Sequence, residues 1–142
     1  MSTPTDAQLA AIAAAFDTFA RRFKMAEALS TELPLNEVDK QTLLYIAQHP
    51  DCGPTDVARF LAVPATTLTS VADRLVKKKL LERGRAEGDR RAVALRLSDS
   101  GKAQVAALNC AYQEMYRQLL EPLLTAEQNE LIRLVTKIAQ SE

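Results

Sequence analysis

The chain has 142 residues, 47% of them hydrophobic and 25% charged, the mix of an ordinary soluble globular domain with a small core. Eighteen basic residues balance eighteen acidic ones, so net charge alone selects no partner. The two cysteines, Cys52 and Cys110, form no C-x-x-C pair and have no ligand-like spacing to the single His49, which argues against a structural zinc site. No basic start followed by an apolar run opens the chain, and no stretch of about 18 apolar residues occurs. The expectation is a cytoplasmic protein with no signal peptide, no membrane partner and no cofactor.

Taken in chain order, Leu9, Ile12, Phe16, Phe19, Phe23 and Ala26 recur at intervals of three and four and predict one long amphipathic helix over residues 5–31. Leu33-Pro34-Leu35 breaks it. Asn36 is suited to cap a second helix carrying Val38, Leu43, Leu44 and Ile46, which ends in the turn His49-Pro50-Asp51-Cys52-Gly53. A short third helix starts at Gly53-Pro54, with Asp56 at its positive end and Val57, Phe60 and Leu61 expected inward. After the tight connection Ala62-Val63-Pro64, a fourth helix runs from about Ala65 to Lys79, burying Leu68, Val71, Ala72, Leu75 and Val76.

The period then changes to two. Val93, Leu95 and Leu97 alternate with Ala94 and Arg96, and Leu80–Arg85 supplies an antiparallel partner strand across the polar loop Ala86–Arg90. Ser98 and Asp99 mark the start of a fifth helix with Val105, Leu108, Tyr112, Met115 and Leu119 inward, ending near Pro122. Thr125-x-x-Gln128 predicts a capping box for a last helix whose stripe is Leu131, Leu134, Val135 and Ile138. The fold class expected is mostly α with a small β-hairpin: a central module of about residues 36–98, flanked by amphipathic helices at about 5–33 and 99–140. Those flanking stripes have no obvious partner in so small a module, and a second copy of the chain is the simplest way to cover them.

The residues suited to chemistry lie on the fourth helix and the hairpin. Thr66, Thr67, Thr69 and Ser70 face outward near the helix start, with Arg74 and Lys77 further along. Small hydroxyl side chains allow close entry into a major groove, Arg can bond two acceptors of guanine, and Lys can neutralise phosphate. Thr and Ser are mediocre helix formers, so a merely solvated face would more often carry Glu, Lys or Gln. Asp89, Arg90 and Arg91 lie at the hairpin tip, where arginine can reach a narrow minor groove and Asp89 can hold a guanidinium in place. From Val71 to Arg96 there are nine basic residues against four acidic ones, a local basic footprint on an otherwise mildly acidic chain.

The run Thr66–Leu75, then Leu80-Leu81-Glu82-Arg83, then Gly88-Asp89-Arg90-Arg91 through Leu97 to Ser98-x-x-Gly101-Lys102 resembles the MarR family of bacterial regulators. The resemblance covers the central two-thirds of the chain closely. It implies a winged helix-turn-helix with a recognition helix at 65–79 and a wing at 85–92, and a homodimer built from the first and last helices. It further implies a repressor that binds a pseudo-palindromic double-stranded DNA operator and yields to a small aromatic or phenolic effector. Three positions depart from the family pattern. Lys79 and Ala62 stand where many relatives have Gly, and Pro64 where a Ser or Asp cap is common.

Relatives that sense oxidants use a cysteine in the first helix, and this chain has none there. Cys52 reads as a small core hydrophobe, and Cys110 as a mid-helix residue able to face a dimer core. Tyr45, His49, Tyr112 and Tyr116 read as packed aromatics rather than as site residues. With one His, no G-x-S-x-G and no phosphate loop, an enzyme has no support. The remaining alternative is a winged-helix protein-interaction or helical dimerisation module that does not use DNA.

Overall fold

In a computed structural model of the chain, which describes residues 2–30, 35–85 and 93–141 (residues 24–30 by their main chain alone), the described residues form six helices and one hairpin. The order is α1 (Asp6–Ser30), α2 (Glu37–Gln48), α3 (Pro54–Leu61), α4 (Ala65–Lys77), β1 (Leu81–Arg85), β2 (Val93–Leu97), α5 (Asp99–Leu120) and α6 (Thr125–Gln140). Two compact units result: Glu27–Asn109, and Met1–Ala26 with Cys110–Glu142. No helix among the described residues is long and apolar enough to cross a membrane. The expected break at Leu33-Pro34 falls outside the described residues.

Helix starts follow the chemistry of their free amides. Asn36 Oδ1 accepts the Asp39 N–H at 2.9 Å and Asp39 Oδ2 accepts the Asn36 N–H at 3.2 Å, closing a capping box on α2. At α3, Pro54 takes the first helical position and the Gly53 N–H donates to the Asp56 carboxylate at 3.0 Å. Ser98 Oγ accepts the Gly101 N–H at 3.0 Å and donates to the Lys79 carbonyl at 2.6 Å, so one side chain caps α5 and holds the end of the α4 segment. The last cap differs from expectation. Leu124, not Thr125, is the cap residue of α6, because the Glu127 carboxylate reaches the Leu124 N–H at 2.9 Å. Gln128 instead turns back to the Leu120 and Leu123 carbonyls.

The core of the central unit is built by Leu43 and Ile46 of α2, Val57 and Ala58 of α3, and Leu68, Val71, Ala72 and Leu75 of α4. Leu80, Leu81, Leu95 and Val105 close it from the hairpin and α5. Burying these side chains supplies the main driving force for this unit, roughly 1.5–3 kcal/mol for each large aliphatic one. Two expectations fail here. Phe60 is 63% exposed, because the buried arc of α3 centres on Val57, Ala58 and Leu61 and leaves residue 60 at its margin, with its ring 4.7 Å from that of Tyr45. Strand β2 does not alternate strictly either: Val93 is exposed while Ala94 and Leu95 are both fully buried. The hairpin is antiparallel with Leu81 opposite Leu97 and Arg85 opposite Val93. On its other side, Leu95 bridges Cys52 through its N–H to the Cys52 carbonyl at 2.8 Å. The loop after α2 is thereby stitched to the hairpin.

The second unit buries far less. Within it the rings of Phe16, Phe19 and Phe23 contact one another along α1 and those of Tyr112 and Tyr116 stack along α5. No residue of α6 is buried. Leu9, Ile12 and Phe16 of α1, and Ile132, Leu134, Val135 and Ile138 of α6, are exposed in the single chain.

Candidate nucleic-acid interface

Helices α3 and α4 are joined by three residues, and the joint depends on one unusual backbone conformation. Ala62 is left-handed at φ 55° and ψ 44°, which turns the chain so that the Val63 N–H reaches the Ala58 carbonyl at 3.0 Å. Pro64 then opens α4 with no side-chain cap, which leaves the first-turn amides of that helix without a side-chain acceptor. At the other end the helix stops at Lys77, two residues before the expected limit, because Lys79 adopts a left-handed conformation with φ 63°. The Leu80 N–H returns to the Leu75 carbonyl at 3.0 Å, and the chain enters β1. Thus both departures from glycine noted in the sequence, at residues 62 and 79, sit at left-handed positions.

With Leu68, Val71, Ala72 and Leu75 turned into the core, α4 presents its other face to solvent. Thr66, Thr67, Thr69, Ser70, Asp73 and Lys77 are exposed on it. The Thr69 hydroxyl donates to the Ala65 carbonyl at 3.0 Å, so it serves its own helix in the unbound chain. Arg74 is different. Its guanidinium pairs with the carboxylate of Asp39 on α2, whose side chain is 2% exposed while that of Arg74 is 40% exposed. Two further ion pairs frame the module. Arg83 of β1 pairs with Asp73 of α4, tying the helix to the hairpin, and Arg96 of β2 pairs with Asp51 in the loop before α3. The basic footprint read from the segment Val71–Arg96 is therefore reduced in space, because Asp39 and Asp51 lie outside that segment but beside its arginines.

Asp89, Arg90 and Arg91 lie outside the described residues. Asp39, which pairs with Arg74, is not among the functional residues that the sequence pattern suggests. Its signal was present in the Asn36-x-x-Asp39 capping pattern, but the partner lies 35 residues away and no periodicity connects them. Of the aromatic residues, Tyr45 stacks on His49 at 4.2 Å between ring centres, and His49 Nδ1 lies 3.1 Å from the Tyr45 carbonyl. Cys52 is half-buried; burial first, and then the Asp56 carboxylate, push its thiol above the usual range. Cys110 is exposed. No group of His, Cys, Asp and Glu among the described residues is arranged to hold a metal ion.

Residues 33–92 match the model of the MarR family. The HTH-type transcriptional regulator YpoP of Bacillus subtilis is 31% identical over 120 residues, 82% of this chain and 82% of its own length. The chain belongs to the MarR family. Its fold agrees: FabT of Streptococcus pneumoniae, solved in complex with DNA, superposes with a TM-score of 0.81 at 21% identity over 93% of this chain and 94% of that one. BpsR of Bordetella bronchiseptica, solved to explain how 6-hydroxynicotinic acid regulates its DNA binding, gives 0.69 at 20% identity over 92% and 94%. In the terms of this MarR-family fold, α3 and α4 form the helix-turn-helix of a winged module and β1–β2 its hairpin.

Proposed function

We propose that this MarR-family protein binds duplex DNA sequence-selectively as a homodimer and acts as a repressor on a pseudo-palindromic operator. The observation that carries the reading is the exposed hydroxyl-rich face of α4, Thr66, Thr67, Thr69 and Ser70, backed by a fully buried inner face. Such a helix is rigidly held yet smooth enough to enter a major groove, where threonine hydroxyls and methyls meet base edges. Lys77 and the outer edge of Arg74 extend the contact. Asp89, Arg90 and Arg91 of the wing are assigned to the neighbouring minor groove, with Asp89 orienting an arginine. The exposed apolar residues of α1 and α6 support a second copy as partner, since such patches mark association surfaces. A dimer would seat two α4 helices about one DNA turn, roughly 34 Å, apart. Relief of repression by a small aromatic or phenolic molecule completes the proposal, in line with the regulation that BpsR's solved structure addresses.

The test is a titration against duplex from upstream of the protein's own gene, beside a scrambled duplex, at two salt concentrations. Tight binding to the first alone, weakened by salt as phosphate-bound counterions are released, is expected. The Arg91→Ala variant should bind several-fold more weakly. Equal, weak binding to both duplexes would favour a winged module that serves a protein partner.

A further inference from the structure

A buried carboxylate needs hydrogen-bond partners for its oxygens. Asp39 is held by both oxygens: Oδ2 accepts the Asn36 N–H at 3.2 Å, and Oδ1 accepts from the Arg74 guanidinium. The two partners are unequally buried. The Asp39 side chain is 2% exposed and that of Arg74 40%, so one nitrogen of the guanidinium is engaged by the buried carboxylate while part of the arginine side chain stays open to solvent. Positions 67, 70 and 74 follow the three- and four-residue spacing of one helical stripe, so Arg74 continues the row of Thr67 and Ser70. A guanidinium is a planar fork with fixed donor directions; anchoring one edge determines where its other N–H groups lie. With Arg74 part-exposed the pair is only half-buried, and beyond any stability it adds it restricts the direction in which the guanidinium points.

We infer that Asp39 is a positioning residue for base recognition: by anchoring Arg74 from α2, it aims the free edge of that guanidinium along the Thr67–Ser70 stripe. The inference rests on the DNA-binding reading above. It separates selectivity from affinity. Asp39 carries a negative charge near the DNA side, so losing it should not weaken phosphate-driven binding, whereas an arginine released from its anchor loses a directed base contact.

The experiment uses the full chain and a duplex selected by the wild-type protein from a random-sequence pool, beside a scrambled duplex of the same length. Asp39→Asn keeps an acceptor for the Asn36 N–H and removes the charge. It should lower affinity for the selected duplex about tenfold, the scale of one directed base contact. Affinity for the scrambled duplex should be unchanged or higher. In an Arg74→Gln background the same substitution should cost nothing more, because its effect runs through Arg74. An Asp39→Asn protein that is less heat-stable but keeps the wild-type ratio of selected to scrambled binding would overturn the inference, as would an undiminished loss in the Arg74→Gln background. Should Asp39→Asn not fold, Arg74→Lys serves: it keeps the charge beside Asp39 but not the fork, and a retained ratio would likewise refute the assignment. A wild-type protein that selects no duplex would overturn the DNA-binding reading itself, an outcome distinct from the others.

Discussion

Gly101→Ala is expected to destabilise the winged module although it replaces glycine by the best helix former. Gly101 lies in the first turn of α5, and a Cβ there would stand 2.1 Å from the Leu80 carbonyl oxygen and 3.1 Å from its carbon, with the Leu97 Cβ at 3.4 Å. The obstructing atoms are backbone, not the end of a flexible side chain. The turn must therefore move off the hairpin by roughly 1 Å, in a region packed as densely as a molecular crystal. Leu80 cannot yield freely, because its carbonyl accepts the Ser98 N–H at 3.1 Å and the residue is 1% exposed. Overpacking of this kind costs about 1–3 kcal/mol, and weakening the Ser98 bond adds about 1 kcal/mol. The gain in helix propensity returns roughly 0.5–1 kcal/mol. A net loss of about 1–3.5 kcal/mol follows, read as a lower midpoint in urea with an unchanged slope. Ser100→Ala, at the neighbouring exposed position, should lie within about 0.5 kcal/mol of wild type and serves as the control. A Gly101→Ala protein as stable as wild type would refute the close approach of α5 to the hairpin.

Other consequences are equally measurable. Lys79→Gly and Ala62→Gly should each stabilise by about 0.5–1 kcal/mol, because a left-handed L-residue costs roughly 1–2 kcal/mol and glycine gives back part of that as unfolded-chain entropy; a loss at either site in thermal unfolding would contradict the assigned backbone. Ile138→Lys, at a position 72% exposed in the single chain, should shift the protein to monomer in sedimentation while the winged module keeps its fold; an unchanged dimer would remove α6 from the proposed interface. Iodoacetamide should label Cys110 before Cys52 at pH 7.5, and labelling of Cys52 should rise only above the ordinary thiol value of 9.0, because burial and then Asp56 favour its protonated form. The folded chain holds that proton more tightly than the unfolded one, so its contribution to stability is complete below the ordinary value and lost as pH climbs through the raised one. Cys52→Ala should accordingly flatten the alkaline limb of the stability curve.

How far the sequence reached depended on whether a signal was local. Period and capping chemistry act between residues three or four apart. They placed α1 to α6 and both strands within a few residues, and they identified Asn36, Gly53-Pro54 and Ser98 as helix starts. Where two local signals competed the reading failed: Glu127 and Gln128 both follow plausible caps, and only the folded chain shows that Gln128 is engaged by the Leu120 and Leu123 carbonyls. Phe60 failed because a helix of eight residues samples too little of its circumference for hydrophobicity alone to fix the buried arc.

For the candidate site, the hydroxyl-rich face of α4 was legible because exposed Thr and Ser run against helix propensity. Its supports were not. The pairing of Arg74 with Asp39, of Arg83 with Asp73 and of Arg96 with Asp51 joins residues 10 to 45 positions apart. Electrostatic attraction acts through space and leaves no period along the chain. The sequence by itself thus determined the elements, their order and the surface chemistry of α4, since each rests on interactions within one or two turns. Only the tertiary structure decided which of the basic residues are neutralised and which face outward, because that depends on carboxylates that other segments bring beside them.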